Sequence, residues 1–149
     1  MSVRLTLDIE AGWVDWHVGL GESTATISAS YLSDSIGDMV ASVASLLRGA
    51  ADSQVAFAEE PGEYRWSFER RGDRVRILIT ASPGLIADPA QGEAIVLDEQ
   101  CRLRTFAGQL VAELERLASE FGPDGYEKRW GYRVPTERIQ DIRQLLAIS

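Results

Sequence analysis

The chain holds one histidine, His17, and a carboxylate stands two residues before it in Asp15-Trp16-His17. An imidazole beside a carboxylate is the pair that general-base chemistry uses. On an extended strand, however, residues two apart share a face without facing each other. No Ser or Cys can be assigned to the pair as a nucleophile. His17 therefore reads as a histidine on an exposed face or a sheet edge. Trp13 and Trp16 beside it are core or edge aromatics, or else a stacking platform for a ligand.

The other candidates for chemistry are weaker. Gly21-Glu22-Ser23-Thr24-Ala25 approximates the Gly-x-Ser-x-Gly elbow of hydrolases, but that elbow needs a helix after the serine and here a strand follows. Gly12, Gly19 and Gly21 come without the Gly-Lys-Ser/Thr that a phosphate loop requires. Asp34 and Asp38 lie four apart, a spacing at which carboxylates can share a proton or a metal. Placed at a helix start, they are accounted for by the helix dipole. Cys101 is the only cysteine and is predicted in the first turn of a helix, where the dipole favours a thiolate but Asp98 and Glu99 oppose it, partly offset by Arg102 and Arg104, so it reads as a structural or incidental thiol. One cysteine excludes an internal disulfide, and one cysteine with one histidine argues against a conventional zinc site. No cofactor and no metal are expected.

Two groupings suit contacts better than catalysis. Tyr126, Trp130 and Tyr132 alternate with Lys128, Arg129 and Arg133, and Trp, Tyr and Arg dominate binding hot spots. Alternatively Tyr126 and Trp130, one helical turn apart, anchor the last helix to the sheet. The second grouping is an open sheet face carrying Arg65, Arg74 and Arg76, with Arg4 nearby. It would hold an acidic ligand, form a sheet-to-sheet homodimer, or simply be solvated.

The elements that position these residues follow from periodicity. Val3, Leu5, Leu7 and Ile9 alternate with Arg4, Thr6, Asp8 and Glu10, a half-buried strand. Residues 12–21 have no clear period and read as a second strand broken by a bulge. Residues 24–30 alternate again. Ser33 or Asp34 caps a helix whose apolar face is Ile36, Met39, Val40, Val43, Leu46 and Leu47, stopped by Gly49. Residues 55–79 fold into three antiparallel strands. A turn at Gly72-Asp73 pairs Phe68 with Ile77 and Trp66 with Ile79. A turn at Pro61-Gly62 pairs Phe57 with Trp66 and Val55 with Phe68. Both registers put every large apolar residue on one face, and Glu69 then lies across from Arg76.

Residues 82–92 form a loop and residues 93–97 a short strand. Asp98 caps a second helix with the stripe Leu103, Phe106, Leu110, Leu114, Leu117 and Phe121, ended by Gly122-Pro123-Asp124-Gly125. Residues 126–134 are an aromatic connector, and Pro135-Thr136 opens a last helix. The expected architecture is one α+β domain over residues 1–149. It has a single mostly antiparallel sheet of about six strands, in the order ββ(β)αββββαα, with helices on one face.

Composition narrows the function. The 149 residues carry a net charge of −8, and the imbalance is uneven. Residues 1–53 hold seven acids against two bases, residues 54–82 five of each, and residues 83–149 eleven against eight. Such a surface repels nucleic acid. No apolar run is long enough to span a bilayer and no signal-peptide pattern opens the chain, which points to a cytosolic protein with no membrane role. Fourteen of the fifteen bases are Arg, which reads as genome composition.

The residues point away from an enzyme. They favour a small acidic bacterial protein-interaction module whose acidic first third faces a basic partner, as an immunity protein or antitoxin would. The competing expectation is a small-molecule binder or enzyme with a pocket lined by Trp13, Trp16, His17 and Tyr126.

Overall fold

The structure, a computed structural model, describes residues 2–59, 62–82 and 94–148. In chain order the elements are β1 (Val3–Glu10), β2 (Trp13–Leu20), β3 (Ser23–Ser30), α1 (Ser35–Leu47), β4 (Asp52–Ala58), β5 (Glu63–Arg71), β6 (Arg74–Ser82), β7 (Ala94–Arg102), α2 (Leu103–Trp130) and α3 (Thr136–Ala147). The fold is α+β, and all strand pairings are antiparallel.

The expected single sheet is instead two. The first sheet has the order β1-β2-β3 and the second β4-β5-β6-β7. Each has one continuous apolar face, and seven strands in one layer would need far more helical cover than α1 and α2 supply. Packing two sheets inner face to inner face buries both apolar faces against each other. Trp16 of the first sheet meets Phe57 and Trp66 of the second at centroid distances of 5.1 and 5.8 Å. Phe106 of α2 closes the cluster against Trp66 and Phe68 at 6.3 and 5.9 Å. Two side-chain bonds join the sheets at β3: Ser23 Oγ donates to Glu99 at 2.5 Å, and Ser28 Oγ donates to Glu59 at 2.8 Å.

Residues 13–20 form an unbroken strand rather than a bulged one, paired residue for residue with β1 and β3. Val14, Trp16, Val18 and Leu20 are buried, while Trp13, Asp15 and His17 point outward. The large apolar Trp13 on the outer face is what hid this alternation in the sequence. Ala11 and Gly12 make the β1–β2 turn, both at positive φ (52° and 81°), the two-residue hairpin turn whose twist matches the strands.

The Gly72-Asp73 hairpin has the expected register, Phe68 opposite Ile77 and Trp66 opposite Ile79. The preceding hairpin differs by two residues: Val55 lies opposite Trp66 and Phe57 opposite Tyr64. A slip of two preserves side-chain parity, so the same residues stay inside. Glu60 and Pro61 of the predicted turn, residues 83–92 of the predicted loop and the predicted strand start at Glu93 lie outside the described residues, while Ser82, placed in that loop, ends β6. β7 runs on to Arg102, so Asp98 sits in a strand and does not cap α2. Pairing with β6 along its length outweighs the local helix-start signal. Cys101 accordingly lies within β7, one residue before its end, wholly buried opposite Val75. Burial pushes its thiol up to about 11, against a weaker downward pull from Arg74, so no activated thiolate arises.

The edge of the first sheet is sealed by α2. Leu7 N–H donates to Glu113 Oε2 at 2.6 Å, and Leu7 C=O accepts from Arg116 at 3.0 Å. Arg116 also holds both Glu113 oxygens, at 2.7 and 2.8 Å. This carboxylate–guanidinium pair gives the edge residue the donor and acceptor that a neighbouring strand would supply. The predicted stop at Gly122 is a kink rather than an end. Gly122 adopts φ 70°, ψ 164°, and the helix resumes through Trp130. Arg129 then lies 4.2 Å over the Phe121 ring across the kink. Among the described residues no helix is long and apolar enough to cross a membrane.

Candidate functional site

The outer face of the first sheet gathers most of the residues that the sequence marks for chemistry. Its cross-strand rows are Thr6–His17–Thr26 and Asp8–Asp15–Ser28. His17 finds its carboxylate in the diagonal Asp8, not in Asp15: Nε2 lies 3.1 Å from Asp8 Oδ2, and Nδ1 lies 3.3 Å from Thr26 Oγ1. A carboxylate, an imidazole and a hydroxyl in one chain have the composition of a nucleophile relay.

The surroundings do not complete such a relay. The His17 and Asp8 side chains are 44% and 69% exposed. Thr26 stands mid-strand on the exposed outer face of β3, paired opposite His17. The arrangement can hold the three side chains in register and present them to solvent.

At the Ala11-Gly12 end of this face lies a surface cleft of about 620 Å³. Asp8, Glu10, Trp13 and Asp15 line its sheet side, and Arg116, Phe121 and Arg129 its α2 side. Two contacts hold the turn in place. Gly12 N–H donates to Arg129 C=O at 2.8 Å, and a Cβ at Gly12 would come within 2.8 Å of the Tyr31 ring. Trp13 is 36% exposed. Glu10 and Asp15 have neither a hydrogen bond nor an ion pair from their side chains among the described residues.

The expected pocket of Trp13, Trp16, His17 and Tyr126 is not assembled. Trp16 and Tyr126 are wholly buried. His17 borders a separate depression of about 200 Å³ with Arg4, Thr6, Thr24 and Thr26. Trp130 is also wholly buried, and its indole N–H donates to Asp34 Oδ1 at 2.9 Å. The same oxygen accepts from Gly37 N–H at 3.0 Å as the α1 N-cap. The aromatic stretch thus fastens the end of α2 to the start of α1, with Tyr132 Oη donating to Tyr31 C=O at 2.6 Å. Burial, then the Asp34 charge, drives the Tyr126 hydroxyl far above the usual phenol range. Asp38 has its carboxyl raised by partial burial and by Asp34. Asp34 Oδ1 is engaged both by the α1 cap and by Trp130. Among the described residues no group of three or more His, Cys, Asp or Glu is placed to hold a metal ion.

The outer face of the second sheet holds Arg65, Arg74 and Arg76, but not Arg4, which lies over Gly19 on the first sheet. Arg65 pairs with Glu63 at 3.0 Å. Arg76 faces Glu69 in register, yet its guanidinium turns to Asp98 in a bidentate pair at 2.9 and 2.8 Å. That hydrogen bonding holds the Asp98 carboxyl below the usual range. Glu69 pairs with Arg71 at 3.2 Å instead.

Sequence reasoning missed Asp8 and Thr26 as the partners of His17, and Glu113 and Arg116 as the edge clamp. The Ala11-Gly12 turn, which the sequence reading did not identify, sets the register that brings Asp8 and His17 together. Glu113 stands one residue before the apolar stripe position Leu114, and Arg116 follows it by three, the spacing of a same-face pair. No family model, curated protein or solved structure matches this chain.

Proposed function

We propose that this chain is a non-catalytic protein-interaction module that presents the outer face of its first sheet to a basic protein partner. Neutralisation of a basic toxin by an immunity protein or antitoxin is one concrete form. One observation carries the reading: Glu10 and Asp15 stand on an exposed strand face without side-chain partners among the described residues, beside a partly exposed Trp13 and a cleft of about 620 Å³. Carboxylates without partners cost little to bring against a cation, and an exposed indole supplies apolar contact and a cation–π surface. The open face at His17 lacks what nucleophilic catalysis would need, which supports binding over turnover.

The test is affinity capture from the native host at low salt and at about 0.5 M salt, where the Debye length shrinks to a few ångströms. A stoichiometric basic partner that is lost at high salt, and lost with the Trp13→Ala/Asp15→Asn variant at low salt, is the expected result. Capture indifferent both to salt and to that variant would remove this face from the function.

A further inference from the structure

The second sheet carries an arrangement that its own stability does not explain. Arg71 lies opposite Arg74, and Arg74 opposite Arg102. The three are therefore neighbours in one cross-strand row, on three adjacent strands, with side chains on the same outer face. Strands stand about 4.8 Å apart, and like charges directly opposite one another destabilise a sheet.

Other arginines here are tied down. Arg70 donates to Gly72 C=O at 2.9 Å and to Leu46 C=O. Arg104 donates to the carbonyls of Leu145 and Leu146 at the end of α3. Within the row only Arg71 has a counter-ion, Glu69 at 3.2 Å. All three are exposed, and the side chains of Arg74 and Arg102 have no hydrogen bond or ion pair among the described residues.

Three arginines in one cross-strand row on an exposed face, two of them without partners among the described residues, offer a cluster of guanidinium donors suited to carboxylates. The array lies on an exposed sheet face, which favours a macromolecular segment over a small molecule enclosed in a cleft. A net charge of −8 opposes a long continuous polyanion, whereas a short acidic stretch meets only the row. We propose that the Arg71–Arg74–Arg102 row docks a short, extended acidic segment of a protein partner. The proposal does not rest on the acidic face of the first sheet.

The test uses the full chain and a fluorescein-labelled Glu-Gly-Glu-Gly-Glu-Gly peptide, followed by anisotropy at low and moderate salt. Wild type is expected to bind at low salt, and Arg74→Gln/Arg102→Gln to bind about tenfold or more weakly, the scale of losing charged contacts. Arg133→Gln/Arg138→Gln removes the same charge from exposed positions elsewhere and is expected to bind as wild type. Relieving the like-charge row is expected to leave the melting temperature of Arg74→Gln/Arg102→Gln unchanged or about 1–2 °C higher, which shows that lost binding is not lost folding. Absence of wild-type binding, equal weakening by the two double variants, or tighter binding of a single-stranded oligonucleotide through the same row would each overturn the proposal.

Discussion

The two sheets solve the same problem, an exposed outer face, in opposite ways. The first sheet spends its ionic chemistry on its edge, where Glu113 and Arg116 occupy the N–H and C=O of Leu7. Among the described residues, it leaves Glu10 and Asp15 on its outer face without side-chain partners. The second sheet spends ionic chemistry on the face itself, with Arg65–Glu63, Arg71–Glu69 and Arg76–Asp98 pairs, and among the described residues leaves the basic row end, Arg74 and Arg102, and the lone acid Asp52 without side-chain partners. The difference teaches where to look for function. Paired charges on a sheet maintain it, while charges left unpaired in register are available to something else.

The largest expected effect lies at the sealed edge. Glu113→Ala leaves the Leu7 N–H unsatisfied and strips Arg116 of its main partner, and is expected to lower stability by about 2–4 kcal/mol. Urea unfolding measures it, and a loss no greater than that of an ordinary surface substitution would remove the clamp from the account. Next comes Ala11→Gly at the turn of the same sheet. Ala11 is held at φ 52°, and relief of that conformation is expected to add about 1 kcal/mol. A destabilised Ala11→Gly variant would show that the turn is not strained.

On the second sheet, Asp98→Asn breaks the bidentate pair with Arg76. Both side chains are partly exposed, so solvent screening keeps the expected loss small. Its pH signature is the sharper readout. The Asp98 carboxyl is held low in the fold, so its contribution is present above the unfolded carboxylate value of about 3.9 and is lost as pH falls through the folded value. The stabilities of wild type and Asp98→Asn should therefore converge in acid and differ at neutral pH. A constant gap across that window would contradict the pairing. The smallest expected effect on stability is that of Glu10→Gln/Asp15→Asn, within about 0.5 kcal/mol. The same variant is expected to abolish salt-sensitive partner capture. A large stability loss there would show that these acids serve the fold, and the contrast between the faces would fail.

Much of the architecture was legible along the chain, because local periodicity reports which side of an element is buried. The β5–β6 register follows from Gly72-Asp73 and the alternation around it. The α1 cap at Asp34 and the stripe of α2 follow from helical spacing. The second expected hairpin register failed by two residues, because parity constrains the face of a strand but not its position along the neighbour. β2 was obscured by Trp13, a large apolar side chain on the solvent side, and β7 by Asp98 and Glu99, which imitate a helix start.

The candidate surface was legible only in part. Trp13, Asp15 and His17 were visible as residue types, yet Asp8 became the partner of His17 only through cross-strand pairing. Trp130 was visible as a candidate contact, yet its indole is consumed by Asp34, ninety-six positions away. By itself, then, the sequence determined the α+β class, most of the elements and the acidic balance of the first third, because these depend on short-range periodicity and composition. Only the tertiary structure decided that there are two sheets rather than one, which aromatics are spent in the core, and which charges stand unpaired, because each depends on residues distant in sequence competing for the same buried space and the same hydrogen bonds.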